Sequence, residues 1–356
     1  MSDMLEEMLR TLDRIVEDKV TLKMREAADE RGNQGAGLQV DKSATAPLWT
    51  ALEEAGFTGL AGAGGDADVT FTDAMELVRR AAYHALPVPL GDVIVARRVR
   101  ARHGIGEPDG MAALAAPASC KNVVLKGKAL TGWVSGVPWG RSLDHLVVAV
   151  GDMDECSLVV VDCKGAVVRQ GANMAGEPRD DVDLGKARVL SVHAAGDAVR
   201  MIEAEGALLR SVQMSGAMGA VLDHCMTWVS DRVQFGKPIA KHQAVQHLMA
   251  QLAEESASAS AAADLAVQAS ERTVDRFSCA VAKARVGEAA GKSANFAHAI
   301  FGAMGFTREH QLHYATRRLW AWRNEFGGEA FWQCELGRQI AEKGGASLWP
   351  MITLRG

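Results

Sequence analysis

The spacing of apolar residues changes twice along the chain, and this restricts the architectures that it can adopt. In the first zone, apolar residues recur every three or four positions, as they do on an amphipathic helix. The opening helix shows this stripe at Leu5, Met8, Leu9, Leu12, Ile15 and Val16. The second zone contains short β-branched runs separated by glycine, aspartate, asparagine and lysine, which is typical of closely spaced strands. The helical spacing then returns and continues to the end of the chain.

These zones predict a mainly α protein with a central β domain. We place an N-terminal helical domain at residues 1–108, a small β-barrel or sandwich at 109–193 and a C-terminal four-helix bundle at 194–356. The strands of the middle zone do not alternate with helices, so a doubly wound nucleotide-binding sheet is not expected. The 356 residues suffice for several domains with at least one sizeable core.

Composition and charge exclude several classes of protein. The net charge of −5 and the lack of a basic stripe argue against a dedicated nucleic-acid-binding protein. The six cysteines are scattered without a C-x-x-C pair or a histidine–cysteine cluster, so no metal site is expected. The N-terminal segment is acidic, unlike a signal peptide, and no apolar run reaches membrane-spanning length. We therefore expect a cytoplasmic protein without a membrane segment.

One short segment separates two long helical patterns in the C-terminal zone. The sequence DRVQFGKPIAKHQAVQH runs from Asp231 to His247 between helical patterns at 208–229 and 245–267. Pro238 ends a continuing helix, because proline disfavours helical geometry in the residue before it. A simple turn would explain an arginine and a glycine here, since an arginine complements the dipole at the end of a helix. It leaves four residues unexplained: Gln234, Phe235, Gln243 and Gln246. We call this segment the corner, and a simple turn does not account for all of its residues.

Four segments, in the expected order along the chain, resemble the acyl-CoA dehydrogenase family. RVQFGKPIAKHQAVQH resembles the family's R-x-Q-F-G-x-P-I signature, which is followed by Q-A-V-Q. IFGAMGFTREHQLHYATRR resembles its G-G-x-G-x-T-x-E segment, and WTALEEAGFTGLAGAGG resembles its N-terminal W-x-x-L-x-E-x-G region. LTGWVSGVPWGRSLDHLVVA resembles the strand pair of its middle domain. The resemblance covers essentially the whole chain, which is identified as a short form similar to the subunits of paired-gene, heteromeric members.

The resemblance implies that the corner binds FAD held by a neighbouring subunit. Arg232 would face the pyrophosphate, because a planar guanidinium suits phosphate oxygens. Phe235 would pack on the adenine end, and glycines would let the backbone approach the cofactor. The complete set of implied FAD-binding residues is Arg232, Gln234, Phe235, Gly236, Gln243, Gln246, Gly302 and Gly305. A cofactor shared between subunits implies an oligomer.

The sequence also departs from the family pattern. The T-E-P-x-x-G-S-D loop of the middle domain is absent, and Pro138 aligns with the strand residue whose hydroxyl sits near the flavin. A proline supplies neither a hydroxyl nor a backbone donor. The usual Gln-x-x-Gly-Gly is here Ala299 to Ala303, so one amide and one glycine are lost. These departures imply weaker flavin binding, or a site shared with a different chain.

The resemblance requires a glutamate as the base that removes the α-proton. Counting from the two family positions reaches Phe326 in a loop and Gly206 on a helix, with Glu325 and Glu205 adjacent to them. Glu325 is the better candidate, because a shift of one residue on a helix rotates a side chain by about 100°. The alternative for Glu325 is a salt bridge with Arg323 or another nearby arginine.

The implied activity is oxidation of an acyl-CoA thioester to the trans-2-enoyl product, in fatty acid or steroid side-chain catabolism. Electrons would pass to an electron-transfer flavoprotein, and the assembly would be a homo-oligomer or an α2β2 hetero-oligomer. The first alternative is a non-catalytic partner subunit that completes the FAD site of a sister chain. Two further alternatives are an acyl-CoA oxidase that uses oxygen, and a helical scaffold that has lost the flavin.

Overall fold

The computed structural model describes residues 3–21, 24, 42–61, 69–106, 110–151 and 156–353. The chain forms two compact units. The first comprises Met1–Val78 with Leu86–Leu209, and the second comprises Arg79–Ala85 with Arg210–Gly356. The end of the N-terminal glycine-rich motif, residues 62–65, lies outside the described residues.

Helices come first along the chain. They are α1 (Asp3–Lys19), α2 (Lys42–Glu54), α3 (Phe71–Tyr83) and α4 (Leu90–Arg102). Leu5, Met8, Leu12 and Val16 are the buried residues of α1, as the helical spacing predicts. Helix α4 is buried over most of its length, which is why its sequence lacks a clear polar face.

The middle of the chain is built from strands. They are β1 (Ala112–Leu114), β2 (Cys120–Lys126), β3 (Ala129–Pro138), β4 (His145–Gly151), β5 (Cys156–Asp162), β6 (Val167–Arg169), β7 (Arg179–Asp183) and β8 (Arg188–Ala194). They form two four-stranded sheets, in the orders β1-β4-β5-β8 and β2-β3-β7-β6. The pairing is antiparallel throughout except between β1 and β4. Val134 and Val182 of one sheet share a core with Val148 and Val159 of the other, which confirms the predicted sandwich.

The C-terminal part is helical again. It contains α5 (Ala198–Asp231), α6 (Gln243–Ala269), α7 (Arg276–Phe301), α8 (Leu312–Asn324), α9 (Glu329–Lys343) and α10 (Leu348–Thr353). Four of these helices share one core, represented by Val221 of α5, Leu252 of α6, Val286 of α7 and Leu319 of α8. Many of the packed residues are alanines, which allow close approach between helices. The predicted mainly α fold with a central β domain and a helical bundle is confirmed.

Membrane-spanning helices and metal sites were expected to be absent, and the structure bears on them only within the residues that it describes. There, no helix is both long enough and apolar enough to cross a membrane. The same residues contain no group of three or more histidine, cysteine, aspartate or glutamate side chains arranged to hold a metal ion.

Candidate functional site

The segment between α5 and α6 is a β-hairpin. Strand β9 (Val233–Gln234) pairs with β10 (Lys237–Pro238), and the backbone N–H of Ile239 donates to the carbonyl of Arg232 at 2.8 Å. The two turn residues, Phe235 and Gly236, have φ angles of 51° and 77°. Positive φ at both central residues characterises the type I′ turn, which matches the twist of two-residue hairpins. The sequence predicted a break at this point but not a hairpin, because a phenylalanine is an unusual first residue for such a turn.

The hairpin presents the predicted cofactor residues to solvent. Phe235 stands at the tip and is 91% exposed, and Arg232, Gln234, Gln243 and Gln246 are exposed around it. A side chain at Gly236 would meet nothing within 4 Å. The structure therefore gathers these six predicted residues at one corner, open to a ligand or to another chain.

Hydrogen bonds and ring contacts hold the corner in place. The Gln246 side chain donates from Nε2 to the carbonyl of Ala240 at 3.0 Å. The ring of His242 approaches the Gln234 carbonyl at 3.4 Å and lies edge-on to Phe235, with 5.9 Å between the ring centroids. Among the residues that the structure describes, Phe235 thus has one aromatic neighbour, and the remainder of its ring faces solvent.

An aromatic stack connects the hairpin to the segment after α7. The guanidinium carbon of Arg232 lies 5.6 Å from the Trp228 ring centroid, and Trp228 stacks on Phe301 with 4.8 Å between centroids. Gly302 follows directly, is exposed with φ of 59°, and has open space where a side chain would stand. Arg232 and Gly302 therefore lie on the same side of this helical unit.

Gly305 differs from Gly302 in its surroundings. It is buried, and a Cβ atom there would lie 3.0 Å from His298 Nδ1 and 3.0 Å from Phe301 Cβ. Absence of a side chain at Gly305 is thus required for packing within the chain. The structure does not bring this glycine to the exposed surface with Gly302, and its predicted contact with the cofactor stays a prediction.

Two histidines beside this segment have packing roles. His310 lies 4.5 Å from Phe301 between ring centroids, and burial, together with His313, lowers its pKa. His313 donates from Nδ1 to the carbonyl of His310 at 2.8 Å, and burial lowers its pKa as well. Both rings are therefore mainly neutral near pH 7, as expected for packed aromatic groups rather than for cationic phosphate ligands.

Glu325 lies in the turn between α8 and α9 and is ion-paired. Its Oε2 accepts from Arg210 Nε at 2.7 Å, and the Arg210 side chain is only 1% exposed, against 18% for Glu325. The sequence anticipated a salt bridge as the alternative role of Glu325, with Arg323 or another arginine as its partner. Arg323 instead pairs with Glu329, at 2.6 Å between Nε and Oε1. The candidate base is thus held by a buried cation from α5.

The loop after Glu325 is fixed by two buried donors that the sequence did not single out. Lys283 of α7 donates from Nζ to the carbonyls of Arg323 and Gly327, at 2.6 and 2.8 Å. The indole of Trp332 donates to the carbonyl of Phe326 at 3.0 Å. A signal existed for Lys283, because it falls at helical spacing between Cys279 and Val286, on the apolar stripe of α7.

The second carboxylate considered as a base is also ion-paired. Glu205 is fully buried, and its Oε1 lies 3.1 Å from Arg98 Nε and 3.3 Å from Arg102 Nη1. Pro138 ends strand β3, pairs in register with Arg179 and is buried. Within the first unit, the Glu205 carboxylate is thus already paired with arginines, and Pro138 has no hydroxyl to offer.

Comparison with known proteins shows what this architecture is similar to. The model of the acyl-CoA dehydrogenase C-terminal domain matches residues 202–329. Acyl-CoA dehydrogenase FadE34 of Mycobacterium tuberculosis is 29% identical over 297 residues, covering 78% of this chain and 40% of the relative. Glutaryl-CoA dehydrogenase of Desulfococcus multivorans is 34% identical over 141 residues, covering 37% of this chain and 35% of the relative. The matches thus span well under half of the length of these curated relatives.

Solved structures match over nearly the whole chain. A variant of the Tcur3481-Tcur3483 steroid ACAD has a TM-score of 0.82 at 22% identity, covering 97% of this chain and 99% of that chain. The ChsE4-ChsE5 complex of Mycobacterium tuberculosis has a TM-score of 0.78 at 19% identity, covering 96% and 98% of the two chains. Residues 202–329 thus match the C-terminal domain of the acyl-CoA dehydrogenases, and the fold of nearly the whole chain is similar to that of these solved structures.

Proposed function

We propose that the protein catalyses the FAD-dependent α,β-dehydrogenation of an acyl-CoA thioester to the trans-2-enoyl-CoA. The observation that carries this proposal is the exposed hairpin corner, which lies within the segment matched by the family's C-terminal domain. The chemistry that FAD supplies is acceptance of the hydride that leaves the β-carbon. An electron-transfer flavoprotein would then receive the electrons.

The residues at the corner fit a dinucleotide cofactor. Arg232 offers an exposed guanidinium for phosphate oxygens, and Phe235 offers an exposed ring face for stacking. Gly236 and Gly302 leave open space where side chains would stand, so a ligand can approach the backbone there. Gln234, Gln243 and Gln246 add exposed amide donors and acceptors. An exposed corner of this kind suits FAD that is shared with a neighbouring subunit, in a homo-oligomer or an α2β2 assembly.

Glu325 is our candidate for the base in this chain. As a carboxylate it would accept the α-proton, and Arg210 would hold it in a defined orientation before the reaction. Glu205 is less suitable, because its carboxylate is fully buried between two arginines.

A second function is favoured by the same ion pair. If the buried Arg210 serves only to neutralise Glu325, the chain contributes no base and acts as a partner subunit that completes the FAD site of a sister chain. Phe326 at the position that the family resemblance gives to the base supports this possibility. The ChsE4-ChsE5 complex, made of two differently named chains, is among the similar structures.

The cofactor assignment is tested by flavin binding. We expect Arg232→Gln to weaken FAD binding about 10- to 100-fold, because a charge-assisted bond to phosphate is lost. Arg272→Gln is the matched control, since Arg272 is an exposed arginine in the loop between α6 and α7. Fluorescence quenching on titration with FAD measures both variants, in the chain alone and in its complex with a sister chain. Equal affinities of the two variants would contradict the assignment.

The two functions are separated by Glu325→Gln in the assembled, flavin-loaded enzyme. If Glu325 is the base, acyl-CoA-dependent reduction of an artificial electron acceptor falls by at least about a hundredfold. If activity is retained, the chain is the partner subunit and the base belongs to the other chain. Circular dichroism of the variant shows whether the fold is preserved.

A further inference from the structure

A lysine is buried in the helical unit where an apolar residue would be expected. Lys283 is fully buried on α7, surrounded along its stripe by alanine, cysteine, valine and glycine. Its Nζ donates to the carbonyls of Arg323 and Gly327, at 2.6 and 2.8 Å. These carbonyls belong to the residues two positions before and two positions after Glu325. The amine therefore joins the two ends of the short segment that carries this glutamate.

The segment itself has an uncommon backbone conformation. Phe326 and Gly327 have φ angles of 54° and 89°, and positive φ is costly for a residue with a side chain. The Trp332 indole donates to the Phe326 carbonyl between the two carbonyls held by Lys283. Three hydrogen bonds, to the carbonyls of residues 323, 326 and 327, thus hold the strained turn that carries Glu325.

Charged groups surround Lys283 from each element that packs on it. Glu329 of α9 and Glu325 raise its pKa, whereas Arg210 of α5 and Arg323 of α8 lower it. Burial is the largest effect and lowers the pKa of Lys283 to about 7. A methionine would fill the same space without this electrostatic cost, but it could not donate to the carbonyls of Arg323 and Gly327.

We infer that Lys283 is a positioning residue, which holds the 323–327 turn through its two carbonyls and thereby sets Glu325 against Arg210. The effect of this role on catalysis rests on the proposed function, in which Glu325 is the base. The structural part of the inference does not depend on any activity.

Hydrogen exchange in the chain of residues 1–356 tests the structural part of the inference. We expect Lys283→Met to accelerate amide exchange in peptides covering residues 320–332 by about 10- to 100-fold, with exchange in α6 and α7 unchanged. Lys292→Met is the matched control, because Lys292 lies on the same helix but pairs at the surface with Glu255 and Glu288. It should exchange like wild type. If the turn in Lys283→Met exchanges its amide protons at the same rate as in the wild type, the inference is overturned.

A measurement on the wild type covers the case in which Lys283→Met does not fold. Opening of the turn hydrates Lys283 and returns its pKa toward 10.5, so between about pH 7 and 10.5 the open form binds more protons than the closed form. Protection of the turn, corrected for intrinsic exchange, therefore rises with pH above 7, by up to about tenfold per pH unit. Below pH 7 it is constant. Protection that is independent of pH would overturn the inference.

Steady-state kinetics of the assembled enzyme tests the catalytic part. We expect Lys283→Met to lower kcat about 10- to 100-fold, because small displacements of a reacting group have effects of this size. The KM for acyl-CoA should stay within about threefold, and Lys292→Met should match wild type. If the turn of Lys283→Met exchanges faster but kcat is unchanged, Lys283 does not position Glu325 for catalysis. Absence of wild-type turnover would instead contradict the proposed function, and the exchange result would still stand.

Discussion

At the scale of single residues, buried charges are the distinctive feature of the candidate site. The side chains of Arg210 and Lys283 are both fully buried, and each contacts the turn around Glu325. A buried charge is costly unless it is paired and hydrogen-bonded. The turn and the two cations therefore depend on one another, and a change at one residue should affect stability as well as chemistry.

We predict that Glu325→Gln lowers the free energy of unfolding by about 1–3 kcal/mol, because it leaves Arg210 buried with a neutral partner. Glu288→Gln is the control. Its carboxylate is 49% exposed and pairs with an exposed lysine, so the loss should stay below about 1 kcal/mol. Urea denaturation followed by circular dichroism measures both. Equal losses would mean that the Arg210 ion pair contributes no more than a surface pair.

At the scale of secondary-structure elements, the β9–β10 hairpin is specified by its turn rather than by packing. Phe235 contributes little to the core of its own chain, since only its edge contact with His242 is observed within the described residues. An exposed aromatic residue in a turn with positive φ is costly to maintain, which agrees with a role in binding.

Phe235→Asn separates the two roles of this residue. Asparagine tolerates positive φ, so the stability of the chain should change by less than about 0.5 kcal/mol. Loss of the ring should weaken FAD binding by about tenfold, because stacking on an aromatic ring is worth about 1–3 kcal/mol per base. Thermal unfolding measures the change in stability, and flavin titration measures the change in FAD affinity. A variant that binds FAD like wild type would remove Phe235 from the predicted site.

The start of α7 offers a test of local helix stability. Asp275 caps this helix, and its carboxylate accepts from the backbone N–H of Ser278 at 3.1 Å. We predict that Asp275→Ala lowers stability by about 1 kcal/mol, whereas Asp275→Asn, which also caps well, stays within about 0.5 kcal/mol of wild type. Urea denaturation compares them. Equal stability of the alanine and asparagine variants would show that the cap is unimportant here.

At the scale of the whole molecule, the exposed aromatic residues are unevenly distributed. Among the large apolar side chains that the structure describes as exposed, the phenylalanines and the tryptophan all belong to the second unit, at Phe235, Phe306, Phe331 and Trp349. Exposed aromatic groups of this kind are typical of surfaces that another chain covers.

We therefore predict that the protein sediments as a dimer or larger assembly at micromolar concentration, alone or with a sister chain. Combining Phe235→Asn with Phe306→Asn should shift the distribution toward monomer. Sedimentation velocity across a concentration series measures this. A wild-type monomer that binds one FAD per chain would contradict the sharing of the cofactor between subunits.

The sequence by itself determined the order of helices and strands and the position of the break at residue 231. These features follow from local spacing and from residues such as Pro238, whose effect on the backbone needs no distant partner. The resemblance of four segments also indicated the family, because those motifs keep their order along the chain. Local rules of this kind can be read without coordinates.

Tertiary structure alone decided which side chains meet. Glu325 could have paired with Arg323 nearby in sequence, yet it pairs with Arg210, 115 positions away, and Lys283 reaches a carbonyl 44 positions away. Gly302 and Gly305 look alike in sequence, but one is exposed and the other is packed against His298. Spacing along a helix shows which face a residue occupies, whereas the identity of its partner depends on how distant elements pack, and no local pattern encodes that.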